Sequence, residues 1–312
     1  MFDDEIARFL EVLDRGFPPV HEMTPQQARE AVSARRADRA PEPVHEVTEH
    51  QLSTPDDGPL LRVYRPHGEP GAPAVVFCHG GGFVLCDLDS HDAFCRWLCR
   101  TCSVVVVSVG YRRAPEHPAP AAAEDAYRAL RWTAEECAGI DADRIAVAGD
   151  SAGGNLAAVS CLLARERSGP RPAGQVLLYP MIDPNCDTAS QHRYATGHFT
   201  TRAALRWYWH QYLGTAAPPE PQCAVAPMRA AQHTGLPPAV VVTAGLDPLS
   251  DEGRAYAATL RAAGVPLVHR HHPDLFHGFA TVEGLDAASC ARELLAADVR
   301  DLFDRRTAEV VA

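Results

Sequence analysis

Residues 145–155 read IAVAGDSAGGN, and this stretch is the most informative about the fold because it joins an apolar run to a glycine-rich turn and a helical pattern. The turn has the form G-x-S-x-G, with Ser151 at its centre. Its glycines are needed because a sharp strand-to-helix turn holds the serine in a strained conformation, so the adjacent backbone must pack without side chains. So short a motif is weak evidence alone. The flanking strand and helix patterns favour a serine nucleophile at the carboxyl end of a strand.

Short apolar runs alternate with helical patterns from about residue 48 onward. The predicted strands are Glu49–Ser53, Leu60–Arg65, Ala74–His79, Ser103–Tyr111, Ile145–Gly149, Gln175–Tyr179, Ala239–Gly245 and Pro266–His271. Several of them are apolar on both faces, as expected for strands that helices cover on each side. The main helical patterns are Pro118–Cys137, Ala152–Arg167, Ser250–Ala263 and Asp286–Arg305. This alternation predicts an α/β fold with a mostly parallel, eight-stranded, doubly wound sheet.

Two stretches interrupt the alternation. Residues 1–45 begin with an acidic amphipathic helix that ends near Gly16 and continue as a polar segment punctuated by proline. Residues 185–225 have no convincing strand but hold two of the four tryptophans. We interpret the two stretches together as a helical cap, with N-terminal cap helices in 1–45 and a cap insertion at about 185–225 of a catalytic domain spanning 46–312. The aromatic residues also serve as the core of that cap.

A second glycine-rich loop follows the predicted strand Ala74–His79 and reads HGGGF over residues 79–83. Consecutive glycines at a strand end let backbone N–H groups face a ligand, as an oxyanion hole requires. A phosphate-binding loop is the competing interpretation, but neither its lysine nor its G-x-G-x-x-G spacing is present. His79 lies inside the loop, so we expect it to bond to the backbone rather than to act as a base.

An acid and a histidine follow the last two predicted strands, where ligands of α/β proteins bind. Asp247 stands at the end of the strand Ala239–Gly245, and we assign it as the acid that orients a histidine. Asp251 and Glu252 begin the next helix and are interpreted as capping and loop-fixing residues. Of 15 histidines, His277 alone stands in a loop after the last predicted strand, 30 residues beyond Asp247. We therefore predict that His277 is the base.

The chain order Ser, Asp, His is that of the α/β-hydrolases and differs from the orders in chymotrypsin and subtilisin. The sequence resembles the hormone-sensitive-lipase-like branch of that fold, the bacterial family IV esterases and lipases. The resemblance covers about residues 70–300 and rests on motifs in the same order: HGGG at 79–82, YR-x-APEHP at 111–118, GDSAGG at 149–154, Tyr179-Pro180, Asp247-Pro248-Leu249 and His277-Gly278-Phe279. Arg113 departs from the family pattern, which usually has an apolar residue there, but it occupies no catalytic position.

The resemblance implies a mechanism residue by residue. Ser151 would attack the acyl carbonyl, and His277 would take its proton and later deliver it to the leaving alkoxide. Asp247 would fix the imidazole tautomer, and Asp150 would brace its loop rather than react. The backbone N–H groups that would stabilise the oxyanion belong to Gly81, Gly82 and Ala152. This chemistry needs no metal and no organic cofactor.

The family also implies a substrate class, namely carboxylic esters, usually of short acyl chains, with the cap, Phe83 and Trp207 shaping the pocket. Amide hydrolysis and deacetylation use the same machinery and stay open. A non-catalytic ligand-binding protein of this branch is a rival interpretation, which the presence of Ser151, Asp247 and His277 disfavours. Because the family often forms dimers, a homodimer stays open as well.

Composition narrows the range of partners. The 312 residues carry 29 basic and 40 acidic side chains, a formal net charge of −11, and every one of the 29 is arginine. The absence of lysine excludes Schiff-base chemistry, a lysine base and a phosphate-loop lysine. The acidic balance argues against nucleic acid and anionic lipid as partners, because both need clustered positive charge. The longest apolar stretch, residues 103–110, is too short to span a bilayer.

Ten cysteines and an acidic N-terminal stretch are the features from which we infer the cellular compartment. We recognise no secretory signal, so we expect a cytoplasmic protein with free thiols. Cys95, Cys99 and Cys102 have a C-x3-C-x2-C spacing that binds iron–sulfur clusters elsewhere, but they share one helix face, and we interpret them as a buried core face. Three histidines of the last strand lack a carboxylate or cysteine at ligand spacing, so we predict no metal at His269, His271 and His272.

Overall fold

A computed structural model describes residues 4–35, 41–53, 58–68, 70–215, 221–282 and 284–310. The strands among these residues are β1 (Glu46–Gln51), β2 (Leu60–Arg65), β3 (Ala72–Cys78), β4 (Val105–Gly110), β5 (Ile140–Asp150), β6 (Gly174–Leu178), β7 (Ala239–Leu246) and β8 (Leu267–Phe276). They form one sheet in the order β1-β2-β4-β3-β5-β6-β7-β8. β2 pairs antiparallel with β1 and β4, and the other pairs are parallel. The predicted α/β sheet of eight mostly parallel strands is confirmed.

Helices cover both faces of this sheet. Those of the described residues are α1 (Asp4–Gly16), α2 (Pro25–Ser33), α3 (Asp92–Cys102), α4 (Ala121–Glu135), α5 (Ala152–Glu166), α6 (Ala189–Arg193), α7 (Arg202–Leu213), α8 (Ser250–Ala262) and α9 (Asp286–Val310). The central strand β3 turns Ala74 and Val76 toward one core, which includes side chains of α4, α5 and α8. It turns Val75 and Phe77 toward a second core, which includes side chains of α3 and α9. This period-two alternation builds the doubly wound arrangement.

Two strands, β5 and β8, extend furthest beyond their predicted bounds. β8 ends at Phe276 instead of His271, and β5 begins at Ile140 instead of Ile145. The residues added to β5 are mostly polar, and those added to β8 begin with His272, Pro273 and Asp274, so a continuous apolar run could not reveal them. β8 lies at the edge of the sheet, where polar side chains reach solvent. Because Phe276 pairs with Leu246 of β7, the longer strand brings the residues that follow these two together.

The two stretches that interrupt the sequence pattern lie close to each other. α1 ends at Gly16, as predicted, and the short helical turn Val20–Glu22 packs against α7 of the second stretch. Residues 1–3, 36–40 and 216–220 of the predicted cap lie outside the described residues. The division of the chain into a catalytic domain and a cap stays a proposal.

The cysteine-rich helix is a core element. Cys95, Cys99 and Cys102 are buried on one face of α3, as predicted, and all ten cysteines are free thiols. Burial raises the pKa of Cys99 to about 12 and the pKa of Cys102 to about 11. Both groups therefore stay protonated, whereas metal ligation needs the thiolate. No helix of the described residues is both long and apolar enough to cross a membrane.

Candidate active site

Ser151 stands on a sharp turn between β5 and α5. Its backbone has φ 54° and ψ −117°, which places it in the left-handed half of conformational space. Two backbone hydrogen bonds hold this conformation: the Ser151 N–H donates to the Leu178 carbonyl at 2.8 Å, and the Ser151 carbonyl accepts from Met181 N–H at 3.0 Å. A Cβ at Gly153 would overlap the backbone of Cys78 on β3, so α5 can start this close to the sheet only with glycine there. The motif is therefore a strained strand-to-helix turn, as predicted.

The structure places the predicted acid and base against this serine. Asp247 directly follows β7, and His277 directly follows β8. The His277 Nδ1 lies 2.9 Å from Asp247 Oδ2, and the His277 Nε2 lies 3.0 Å from Ser151 Oγ. Because a carboxylate only accepts, Nδ1 carries the proton and Nε2 is left to accept from the Ser151 hydroxyl. Asp247 Oδ1 accepts from the Leu249 N–H at 2.8 Å, which fixes the carboxylate.

The glycine loop after β3 lies beside the serine. Gly81 has φ 106° and Gly82 has φ 61°, and a Cβ at Gly82 would overlap the Tyr208 ring. No acceptor among the described residues takes the amide N–H groups of Gly81 and Gly82. Ala152 is the first residue of α5, where backbone N–H groups have no partner within the helix. The three predicted oxyanion residues thus each have an amide free to donate.

His79 supports this loop through a hydrogen bond to its backbone, as predicted from its position in the motif. Its Nδ1–H donates to the Gly80 carbonyl at 2.7 Å, and its ring stacks on Tyr111 at 4.2 Å. The Tyr111 hydroxyl donates to the His79 carbonyl at 2.9 Å. Burial, aided by the neighbouring His91, lowers the pKa of His79 to about 3. His79 is therefore neutral at physiological pH and holds the backbone of the loop.

A cavity of about 630 Å³ opens onto Ser151 and His277. Its wall combines the segment after α1, the glycine loop and one face of α7, with Phe17, Val20, Leu85, Leu205 and Tyr208 supplying apolar surface. The wall therefore draws on both predicted cap stretches. It fits a ligand of the size of a small ester, since ligand pockets commonly have about 300–1,000 Å³.

Phe83 and Trp207, predicted to shape the pocket, do not line this cavity. Phe83 is fully buried in the core, where its ring stacks on Tyr212 at 3.9 Å. Trp207 is partly buried against the same core, and its ring meets Tyr208 edge-on at 5.4 Å. Trp207 lies off the cavity because successive residues of a helix point about 100° apart and only one face of α7 meets the cavity. Tyr208 and Leu205 take the places predicted for the two aromatics.

The N-terminal part of the cavity wall contacts Phe199, which packs against the residue that follows His277. The Phe199 N–H donates to Asp14 Oδ1 at 2.6 Å, and Phe17 meets the Phe199 ring edge-on at 4.9 Å. A Cβ at Gly278 would lie 3.4 Å from the Phe199 ring. The end of α1 thereby reaches, through Phe199, the residue next to His277. No local sequence signal could have revealed these contacts, because they join parts of the chain far apart in sequence.

Glu252, on the helix that follows Asp247, contacts the segment that is hydrogen-bonded to the turn at Ser151. Its Oε1 accepts from the Ile182 N–H at 2.6 Å, and its Oε2 accepts from the Gln191 side chain at 3.0 Å. The residue before Ile182, Met181, donates to the Ser151 carbonyl. Burial raises the pKa of Glu252 to about 8, although the N–H groups of Ile182 and Asp183 oppose the shift. Besides the loop-fixing role predicted for it, Glu252 thus holds the segment that bonds to the Ser151 carbonyl.

Replacing Glu252 with glutamine is expected to change how stability depends on pH. The folded pKa of Glu252 lies above its ordinary value of 4.5, so the folded state binds this proton more tightly. The free energy of unfolding should therefore fall as pH rises from 4.5 to about 8, by at most about 1.4 kcal/mol per pH unit from this group, and level off above. Urea unfolding over this range should give a flatter curve for Glu252→Gln than for the unchanged protein. Equal slopes would contradict the prediction, and Glu11→Gln controls for removing an exposed carboxylate.

Comparison with known proteins finds relatives that are α/β hydrolases and esterases. A family model described as the α/β hydrolase fold matches residues 75–281. The carboxylic ester hydrolase LipN of Mycobacterium tuberculosis is 44% identical over 263 residues, which cover 81% of this chain and 69% of LipN. Ethyl acetate hydrolase of Pseudomonas putida is 36% identical over 88% of this chain and 91% of its own length. The crystal structure of a thermostable esterase from Pseudomonas putida ECU1011 superimposes with a TM-score of 0.91 at 35% identity, covering 97% of this chain and 98% of that one.

Proposed function

Because the chain belongs to the α/β-hydrolase family, as a carboxylesterase of its hormone-sensitive-lipase-like branch, we propose that it cleaves esters of short acyl chains through an acyl-enzyme on Ser151. The observation that carries the proposal is the continuous pair of hydrogen bonds from Ser151 through His277 to Asp247. Each of these three residues follows a different parallel strand, so the sheet itself sets their spacing.

In the first half of the reaction, Ser151 Oγ attacks the acyl carbonyl while His277 Nε2 takes the hydroxyl proton. Asp247 keeps the Nδ1 proton of His277 in place and stabilises the imidazolium that forms. His277 then gives its proton to the leaving alkoxide, and the acyl group stays on Ser151. Water attacks this acyl-enzyme with His277 again as base, which releases the acid and restores the serine.

The negative charge on the carbonyl oxygen develops during both halves. The free amide N–H groups of the glycine loop and of the α5 N-terminus would donate to it, from Gly81, Gly82 and Ala152. Fixed donors of this kind act without reorganising during the reaction, and removing one typically lowers turnover about 10²- to 10³-fold. The positive end of the α5 dipole adds to the stabilisation.

Two features support a small, uncharged ester as the substrate. Apolar side chains form much of the cavity wall, and the chain as a whole carries a net charge of −11, which disfavours polyanions. One relative that matches most of the chain is named for the hydrolysis of ethyl acetate, an ester with a two-carbon acyl group. We therefore place the preferred acyl chain among the short ones.

The proposal is tested with p-nitrophenyl esters of increasing acyl length, from acetate to palmitate, and with the matching p-nitroanilide of the best acid. We expect the highest kcat/KM for acetate or butyrate, and mass spectrometry of rapidly quenched enzyme should find the acyl group on the peptide that contains Ser151. A peak at long chains would contradict the short-chain preference. Faster cleavage of the anilide than of the ester would make the protein an amidase instead.

A further inference from the structure

A second imidazole–carboxylate pair lies next to the nucleophile. His91 Nε2 is 3.1 Å from Asp150 Oδ1, and the two side chains are only 7% and 6% exposed. Both residues line the cavity that holds Ser151. The pair is separate from His277 and Asp247, and none of the reaction steps above uses it. A buried histidine at the site with a fixed acceptor therefore still needs a role.

Asp150 joins the two loops that the reaction depends on. It directly precedes Ser151, and its Oδ1 also accepts the Gly80 N–H at 2.8 Å. Gly80 in turn directly precedes Gly81, whose free amide belongs to the oxyanion site. A Cβ at Gly80 would overlap the Asp150 carboxylate, so the contact is close. The position of this carboxylate consequently sets the distance between the serine turn and the glycine loop.

His91 fixes that carboxylate. Since Asp150 can only accept, the His91 Nε2 carries the proton of their hydrogen bond. The other ring nitrogen, Nδ1, lies 2.9 Å from Ser90 Oγ. Ser90 Oγ accepts the Asp87 N–H at 2.9 Å and lies 2.7 Å from the Asp87 carbonyl. Its single proton goes to Nδ1, the unprotonated nitrogen of the ring. The imidazole is thus held at both ends and presents one N–H to Asp150.

The charges around the pair agree with an ionised Asp150. Burial raises the pKa of this carboxyl, but the interaction with His91, including the hydrogen bond from its ring, outweighs burial, and the pKa lies below its ordinary value. A buried carboxylate that loses one of its two donors is held less firmly and can turn toward other donors. Such a turn would release the Gly80 N–H.

We propose that His91 is a positioning residue, which holds Asp150 against Gly80 and thereby keeps the amides of Gly81 and Gly82 aimed at the oxyanion. The proposal rests on the proposed function, since it assigns His91 a part in the same site. An oxyanion exists only after attack on the carbonyl, so misplaced amides weaken the transition state and leave substrate binding nearly intact. Loss of His91 should therefore lower kcat and spare KM.

Two substitutions separate the donor from the ring. His91→Phe keeps a ring and removes the N–H, and His91→Gln can place an N–H near the position of Nε2. With p-nitrophenyl butyrate we expect His91→Phe to lower kcat about 10- to 100-fold with KM within about twofold, and His91→Gln to recover most of the loss. The matched control is His192→Phe, because His192 forms the same kind of pair with Asp187 at 2.8 Å on the surface. We expect this control to keep the original kcat.

Inhibitor binding supplies a second readout. The affinity for a trifluoromethyl ketone, which forms an oxyanion on the enzyme, should fall in His91→Phe in parallel with kcat. Unchanged kcat in His91→Phe, a loss confined to KM, or a His91→Gln variant as slow as His91→Phe would each overturn the role of His91. Circular dichroism shows whether His91→Phe folds. If it does not, the double variant His91→Phe/Asp150→Ala, which leaves no unpaired buried charge, is assayed instead and should show the same loss of kcat. Wild-type turnover in the double variant would overturn the proposal.

Ser151→Ala is assayed in the same series so that the two proposals can fail separately. Retained hydrolysis in Ser151→Ala would sink the proposed function, whatever the His91 variants do. An inactive Ser151→Ala beside a fully active His91→Phe would leave the proposed function standing and remove only the inference about His91.

Discussion

Replacing Ser151 with alanine is expected to lower kcat for p-nitrophenyl butyrate by about 10⁴- to 10⁶-fold. The variant loses the oxygen that attacks the carbonyl, and no neighbouring side chain can take its place, since His277 Nε2 points at Ser151 Oγ. Alanine suits the position structurally. Its Cβ is already present in serine, so the strained backbone at φ 54° carries no added cost. Substrate binding should consequently remain, measured as inhibition by an uncleaved ether analogue.

The control for this substitution is Ser160→Ala, on the helix that follows Ser151. Ser160 is buried in α5, and its hydroxyl donates to the Leu156 carbonyl at 2.7 Å, away from the cavity. We expect turnover within about threefold of the unchanged protein, because a helix-internal hydroxyl of this kind contributes about 1 kcal/mol to stability and lies away from the cavity. A Ser151→Ala protein that still hydrolyses the ester at a tenth of the original rate would rule out Ser151 as the nucleophile.

The sequence could predict that Ser151, Asp247 and His277 come together, because each of them follows the end of a parallel strand. Apolar runs reveal the buried strands β3, β5 and β7, and the residue types just beyond them already suggest their chemistry. The resemblance to the esterase branch then assigns each role. The strand β8 was predicted too short because His272, Pro273 and Asp274 interrupt its apolar pattern. The position of His277 after the last strand could still be predicted, because it lies beyond both the predicted and the observed end of β8.

The pocket and its supports could not be predicted in this way. Phe83 and Trp207 are large and apolar, but size does not tell which side of α7 or of the glycine loop meets the cavity. The side chains that support the site, Asp14, His91 and Glu252, act on partners far away in sequence. Such pairs carry no local periodicity or spacing, so only the packed structure reveals them. Sequence thus specifies the reacting groups better than the groups that hold them.

The second large effect is expected for Asp247→Asn, which should lower kcat about 10³- to 10⁴-fold with little change in KM. The reason is the direction in which the new amide must point. Asp247 Oδ1 accepts the Leu249 N–H, so the asparagine oxygen takes that side and its NH₂ faces His277. An NH₂ group only donates, which forces the His277 proton from Nδ1 to Nε2. Nε2 then meets Ser151 with a proton already on it and cannot accept another.

The neighbouring acid Asp251 provides the matched control for this argument. Its Oδ2 accepts the Ser190 N–H at 2.8 Å, and the oxygen of an asparagine there can accept the same bond. Asp251→Asn should therefore keep kcat within about threefold, although it loses the same charge one helical turn away. If the two variants lost turnover equally, the charge of the loop and not the tautomer of His277 would explain the effect. A fluorophosphonate that labels Ser151 should react more slowly with Asp247→Asn by the same factor as kcat, because both reactions need Nε2 to take the serine proton.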